Sequence, residues 1–393
     1  MLTDKPCGCG RTHTCPIKYI DIGKNALDSV HEFTSAYQHI LLVADENTYA
    51  TCGEKVRDML TRKVASVLFY HREGLLIPDE DGISEMESHI TEQTDLILGI
   101  GSGVIQDLCK CVSFQHKLPY QIIATAPSMD GYASVGAAMI LDGMKVTLSA
   151  HVPEAIIGDV DILKNAPMEM IRSGYGDILG KFSCLNDWKL AAVVLEEYFC
   201  QYVYDQTYDM LQKTKDLGPA LVRREEAAVQ TLMEAIVGVG ICMAWVGNSR
   251  PASGSEHHMS HFFEITGIVH GQEYLPHGID VAYSAVITTQ LREKLRKESW
   301  DRPQYRPTRQ VYEAEMKRIY GSVAQGCIDL QDKVDLYNRD MVAVYRENEA
   351  AIRDILADTP TAAELEKMLE SVGMQIQEYY DLYGAEKIHD AIL

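Results

Sequence analysis

The sequence predicts a Rossmann-like α/β nucleotide-binding domain over residues 1–162, followed by an all-helical domain over 163–393. Short apolar runs alternate with helix-patterned stretches in the first part, which is the texture of βαβ units and a parallel sheet. From about Leu163 strand-like runs nearly vanish and long helical periodicities take over. A glycine-rich turn closes one of the early runs, while acids and histidines recur among small residues later in the chain.

Taken in order, His39–Asp45 reads as a strand, and Tyr49–Val64 as a helix. Ala65–Tyr70, Asp95–Gly101 and Tyr120–Thr125 read as further strands, and Ser84 as the start of a helix with an acid-rich first turn. Beyond Leu163 the helical stretches are Asp177–Tyr198, Glu225–Val246, His258–Ile268, Ile279–Lys294, Gln310–Glu347 with breaks, and Ala362–Leu369. Pro303–Pro307 is the clearest loop. Two domains of this kind place a ligand site in the cleft between them.

Composition narrows the function. A 393-residue chain with 46% hydrophobic and 24% charged residues has ample core for two domains. A net charge of −21 argues against nucleic acid or an anionic membrane as a partner. The longest apolar run, Ala235–Gly247, falls short of the roughly 20 residues a membrane span needs, so it reads as a buried helix. No signal peptide is visible at the start, and the ten cysteines are scattered, as reduced thiols of a cytoplasmic protein would be. The exception is Cys7-Gly-Cys9-Gly-Arg-Thr-His13-Thr-Cys15, which resembles a small metal knot in composition, but its spacings are tighter than a standard zinc finger and the favoured reading is an ordered lead-in with free thiols.

The nucleotide signal is Gly99-Ile-Gly101-Ser102-Gly103-Val-Ile-Gln-Asp107, after a strand and opening a helix. Glycines there let backbone N–H groups approach a pyrophosphate, and the helix N-terminus favours its charge. The spacing is G-x-G-x-G, so the turn is a weak signal taken alone. Asp45 closes an earlier strand, where it would accept from a ribose hydroxyl or simply cap a helix. Thr125–Ser134 lies directly after a strand; within it, Asp130 is either a ligand-facing acid or a turn former.

Asp177, His257 and His277 form an N/N/O ligand set that suits Zn²⁺, Ni²⁺ or Fe²⁺ and leaves a coordination position open. Asp177 reads as the opening of a helix after Ser173-Gly-Tyr-Gly176, where a plain N-cap is the competing explanation. His257 and His261 are four apart and share a helix face, whereas His258 lies off it. His277 opens an apolar helix, and His270, also followed by glycine, competes for the third-ligand place. Arg250 and Lys181 are the candidate cations for a phosphate, or else ordinary surface charges.

Several blocks then carry a resemblance: Ala44–Tyr49, Gly99–Lys110, Thr125–Ser134, Gly174–Lys181 with Asp187-Trp188, Ser249–His261 and His277-Gly278. Together they resemble the sn-glycerol-1-phosphate dehydrogenase family, within the group of iron-containing alcohol dehydrogenases, glycerol dehydrogenases and dehydroquinate synthases. The resemblance runs from Cys7 to Thr289 and implies a dehydroquinate synthase-like fold. It implies metal ligation by Asp177, His257 and His277, with His261 near the substrate and Asp130 contacting it. It also implies a pyrophosphate loop at Gly101, Ser102, Gly103 and Asp107, with Thr125, Ser128 and Ser134 near the nicotinamide. The implied reaction is reversible reduction of dihydroxyacetone phosphate by NAD(H) or NADP(H), giving sn-glycerol 1-phosphate. A phosphorylated small-molecule substrate, one divalent metal and a homodimer complete the expectation; the alternatives are another polyol or polyol-phosphate dehydrogenase, or a non-catalytic nucleotide- or metal-binding protein on the same scaffold.

Overall fold

The structure is a computed structural model and describes residues 3–72, 76–300, 307–335, 339 and 341–392. Six strands form one wholly parallel sheet: β1 (Tyr19–Gly23), β2 (Ile40–Asp45), β3 (Val64–Tyr70), β4 (Leu96–Gly101), β5 (Tyr120–Ala124) and β8 (Ala155–Asp159). Their spatial order is β1-β8-β5-β4-β2-β3. The central strands β4, β5 and β8 are buried at every position, which is why they read as continuous apolar runs rather than alternating ones.

The chain runs outward from β2 to the edge strand β3, then returns across β2 to form β4. Progression through the sheet therefore reverses between β2 and β4, and a crevice opens at their carboxyl ends. Asp45 and Gly101 end these strands, each two residues beyond the paired Val43 and Gly99.

The four predicted strands agree with the structure to within a residue, but six strands escaped the sequence reading. Two of them, Lys5–Pro6 and Thr12–His13, are only two residues long. β1 and β8 are only five residues long. An antiparallel hairpin, β6 (Gly136–Leu141) with β7 (Met144–Ser149), turns through Asp142 and Gly143, both at positive φ. That Asp-Gly pair is the usual signature of a two-residue hairpin turn. The helix placed at Ser84 instead spans Glu80–Ser88, because the Asp79 side chain accepts from the Gly82 N–H and caps it earlier. The stretch read as one helix from Tyr49 divides into Glu46–Thr48, a wide turn over Tyr49–Gly53, and Glu54–Leu60.

Helix α1 (Gly103–His116) follows β4. The later half contains α2 (Met168–Leu179), α3 (Lys181–Val194), α4 (Gln201–Thr214), α5 (Glu226–Val246), α6 (Ser255–His270) and α7 (His277–Lys297). Shorter helices follow up to Ile376–Ile392. Of the predicted Pro303–Pro307 loop, all but Pro307 lies outside the described residues. By length and composition α5 could cross a membrane, but it is mostly buried, packed on α4, α2 and the Asp130–Ala133 turn. One buried apolar cluster joins a face of the sheet to α5, α6 and α7, while a smaller one backs the opposite face. The helical half thus packs directly over the carboxyl ends of the strands.

Candidate active site

Asp177 does not begin a helix. It sits in the last turn of α2, whose start is Met168 after Pro167. The sequence Gly174-Tyr175-Gly176 resembles a turn, yet both glycines are inside the helix because neighbouring backbone leaves no room for a side chain. A Cβ at Gly174 would come within 1.8 Å of the Pro127 carbonyl oxygen, and one at Gly176 within 2.5 Å of the Gly278 carbonyl. Facing them, a Cβ at Gly278 would meet the Ser173 carbonyl at 2.0 Å. This mutual close approach of α2 and α7 brings Asp177 and His277 together. The Ser173 hydroxyl, which donates to the Ser128 carbonyl and accepts from the Gly278 N–H, ties the 125–134 loop to both helices.

The ligand atoms of Asp177, His257 and His277 all lie within 4.8 Å of one another, close enough to share one ion. His257 Nε2 is 3.6 Å from Asp177 Oδ1. Its other nitrogen, Nδ1, is 2.7 Å from Glu256 Oε1, and this contact fixes the ring so that Nε2 faces the cluster. Glu256, which the sequence reading passed over, is fully buried and also accepts from the Gly254 N–H. His277 Nδ1 is buried with no hydrogen-bond partner. An orphaned imidazole nitrogen beside a carboxylate and a second imidazole is what a divalent metal satisfies, so the donor set fits the group the sequence implies. His270 is not part of the cluster, since its Nε2 contacts the Ile319 carbonyl at 2.9 Å.

Charge is concentrated beneath the three ligands. Burial would raise the Asp177 carboxyl, but Lys181, His257 and His277 outweigh it and hold the group at about 2. The Asp130 carboxyl is pushed up by burial and then by the Asp177 charge, against the pull of Lys181. Lys181 has no exposed surface. Its ammonium lies 2.6 Å from Asp130 Oδ2 and 2.8 Å from Asp177 Oδ1, and it donates to the Ala252 carbonyl. The expectation that Lys181 meets a phosphate is therefore corrected: two carboxylates already occupy it below the cluster. Asp130 also donates its backbone N–H to Asp177 Oδ2, so loop and ligand are fastened together. His261 lies with its ring 5.6 Å from that of His277. Burial, and behind it the Lys145 charge, push both imidazoles well below their usual range.

A cleft of about 640 Å³ opens over these residues. On one side it meets Gly103, Asp107 and Ser134; on the other, Asp130, His257, His261 and His277. Gly101 packs under α1, where a Cβ would sit 2.6 Å from that of Ile105, whereas Gly103 has ordinary room. The Ser102 side chain makes no capping bond at the start of α1, so the helix N-terminus faces the cleft uncapped. Asp107 pairs with the buried Lys110, whose ammonium donates to the Gly131 and Gly136 carbonyls and to Ser134 Oγ. Lys110, unnoticed in the sequence, thereby shapes the Asp130 turn. Thr125 donates its N–H to the Gly101 carbonyl, and both it and Ser128 are buried beside the turn without lining the cleft. Asp45 lies at the end of the adjacent strand, outside the cleft lining. Its side chain accepts from the Thr48 N–H in a capping box, the competing explanation given for it, which leaves one carboxylate oxygen unclaimed by the cap.

Arg250 is not brought to the cluster either. Its guanidinium pairs with Glu197 at 2.6 Å in an adjoining open groove. Among the described residues lining the cleft, Lys145 is the only lysine or arginine, and it forms a short ion pair with Glu264. No local pattern marks Lys145, because it is on the unpredicted hairpin and its partner is on α6.

Fold and site together define a class: a parallel nucleotide-binding sheet capped by helices that gather an N/N/O metal set at the strand ends. Residues 21–167 match the model of the iron-containing alcohol dehydrogenase family. The chain is 33% identical over 299 residues to a glycerol-1-phosphate dehydrogenase [NAD(P)+] of Bacillus subtilis, covering 72% of this chain and 74% of the relative. A protein of the same name from Halalkalibacterium halodurans is 29% identical over 394 residues, covering 98% of this chain and 91% of the relative. Among solved structures, glycerol dehydrogenase from Schizosaccharomyces pombe superposes with a TM-score of 0.58 at 16% identity, over 94% of this chain and 92% of that one. The chain belongs to the glycerol-1-phosphate dehydrogenase family of the iron-containing alcohol dehydrogenases, and its fold is dehydroquinate synthase-like.

Proposed function

We propose that this chain is an NAD(P)-dependent, metal-containing dehydrogenase that reversibly reduces dihydroxyacetone phosphate to sn-glycerol 1-phosphate. The observation that carries this reading is the Asp177/His257/His277 cluster, two of whose members line a cleft that also takes in Gly103 and Val104 at the start of α1. Asp177, His257 and His277 would hold a divalent ion and the uncapped start of α1 the pyrophosphate of a nicotinamide cofactor; when bound, the ion would supply a Lewis acid and the cofactor the hydride chemistry.

The remaining work belongs to the chain's own side chains. Glu256 holds the His257 ring in one orientation, and Lys181 balances the two buried carboxylates so that Asp177 stays ionised. His261, kept uncharged at the cleft wall, can relay the hydroxyl proton between substrate and solvent. For the substrate phosphate we assign Lys145 in place of Lys181 and Arg250, with Glu264 positioning the ammonium until the anion arrives. Asp130 lines the same wall and contacts the substrate's polar end. The unclaimed Asp45 oxygen is our acceptor for the adenosine ribose. We further read the protein as a cytoplasmic homodimer; the ten free cysteines support the compartment, and light scattering of the purified protein tests the assembly.

The function is tested by NADH and NADPH oxidation with dihydroxyacetone phosphate, dihydroxyacetone and other phosphorylated ketones. Dihydroxyacetone phosphate should be the preferred substrate, and chiral analysis should give sn-glycerol 1-phosphate. Lys145→Gln should raise KM for the phosphorylated ketone by about tenfold or more, as loss of a charge-assisted contact does, with little change for dihydroxyacetone. Equal losses on both ketones would remove Lys145 from the phosphate site. Preference for an unphosphorylated polyol would overturn the substrate assignment itself.

A further inference from the structure

A second ligand cluster is built on the chain's first turn, apart from the three ligands described above. Lys5–Pro6 and Thr12–His13 pair antiparallel, and the turn between them is closed by Cys7 N–H to the Arg11 carbonyl and Gly10 N–H to the Cys7 carbonyl. That knuckle carries Cys7, Cys9 and His13 on one side. Facing them is Cys200, the residue before α4, so the fourth member comes from far along the chain rather than from Cys15. The ligand atoms of Cys7, Cys9, His13 and Cys200 all lie within 4.8 Å of one another.

Three of the six ligand–ligand distances lie close to the edges of a coordination tetrahedron. A four-coordinate Zn²⁺ with Zn–S near ~2.3 Å and Zn–N near ~2.0 Å sets S···S edges of about 3.8 Å and S···N edges of about 3.5 Å. Cys7 Sγ and Cys200 Sγ are 3.7 Å apart, Cys9 Sγ and His13 Nε2 3.6 Å, and Cys200 Sγ and His13 Nε2 3.3 Å. The surroundings hold the set in place: His13 and Cys200 are buried, Tyr198 donates its hydroxyl to Cys9 Sγ, and the His13 ring lies against Tyr202 and Trp245. A disulfide would need its sulfurs near ~2.0 Å, and it would leave the imidazole and the third sulfur without a role.

We propose that Cys7, Cys9, His13 and Cys200 form a closed structural Zn²⁺ site. Four protein ligands leave no position for substrate, so the ion's work is to fasten the chain's start to the beginning of α4. Arg11, within the knuckle, also donates to the Val246 carbonyl at the end of α5. The residues that follow, Gly247, Asn248 and Ser249, line the cleft, so the clamp steadies its rim.

The test is metal analysis and zinc-edge X-ray absorption on full-length protein purified with reductant and Zn²⁺. His257→Ala protein should retain one Zn²⁺ with three sulfur ligands and one nitrogen. Cys9→Ser should lose that equivalent and melt several degrees lower, with kcat at ambient temperature unchanged. If Cys9→Ser cannot be obtained folded, the His257→Ala spectrum decides alone. Zinc without sulfur ligands in that spectrum, no zinc at all, or a Cys7–Cys200 disulfide surviving reductant would each overturn the proposal.

Discussion

The two ligand clusters are built from overlapping chemistry and put to opposite use. Asp177, His257 and His277 offer three hard or intermediate donors beside an open cleft, whereas Cys7, Cys9, His13 and Cys200 offer three soft donors and one imidazole. Three protein ligands leave an ion able to take a substrate; four consume its coordination and leave only cohesion. The supporting shells differ accordingly. The first cluster rests on buried charge, with Lys181 between two carboxylates and Glu256 behind His257. The second rests on aromatic packing from Tyr202 and Trp245.

That contrast can be broken at several points. His277→Ala removes a ligand from the open centre and should lower kcat by ~10³-fold or more, with fold and sulfur-bound zinc intact; steady-state kinetics beside circular dichroism reads both. Gly278→Ala forces a methyl toward the Ser173 carbonyl and should separate α7 from α2, costing ~2–4 kcal/mol of stability and most of the metal affinity. Denaturant melts of this variant, with and without added metal, check that pairing. Glu256→Gln leaves all three ligands present but weakens the hold on His257, so metal affinity should fall ~10–100-fold and activity should return at high metal concentration. The smallest effect is expected from Asp45→Asn: a few-fold rise in KM for NADH with NADPH improved or unchanged, and no effect on metal content.

Much of this was legible in the sequence, and the failures have a common origin. The strands β2, β4 and β5 announced themselves because burial on both faces makes a continuous apolar run. His257 and His277 stood out because each opens or lies near the start of a helix among small residues. Asp177 was expected to open a helix: Gly174 and Gly176 look like a turn, yet they lie inside a helix that another helix touches along its backbone. The cations expected at a phosphate are engaged elsewhere for a related reason. Lys181 has the charge but is enclosed by Asp130 and Asp177, Arg250 is held by Glu197 in the next groove, and Lys145 reaches the cleft only through a hairpin packed on α6. Cys200 lies 187 residues from His13, a separation over which no local spacing rule operates. Local pattern revealed elements and ligand types, while the partners that only tertiary packing joins had to be seen.

The central claim is that Asp177, His257 and His277 together hold the ion on which dihydroxyacetone phosphate reduction depends. The most direct measurement is titration of a chelated, metal-free enzyme with Zn²⁺, Ni²⁺ or Fe²⁺, following NADH-dependent turnover and bound metal together in wild type and His277→Ala. Turnover in the wild type should rise from near zero in step with one added equivalent, and the variant should neither bind that equivalent tightly nor recover activity. Full turnover in the metal-free wild type, or equal recovery in the variant, would contradict it.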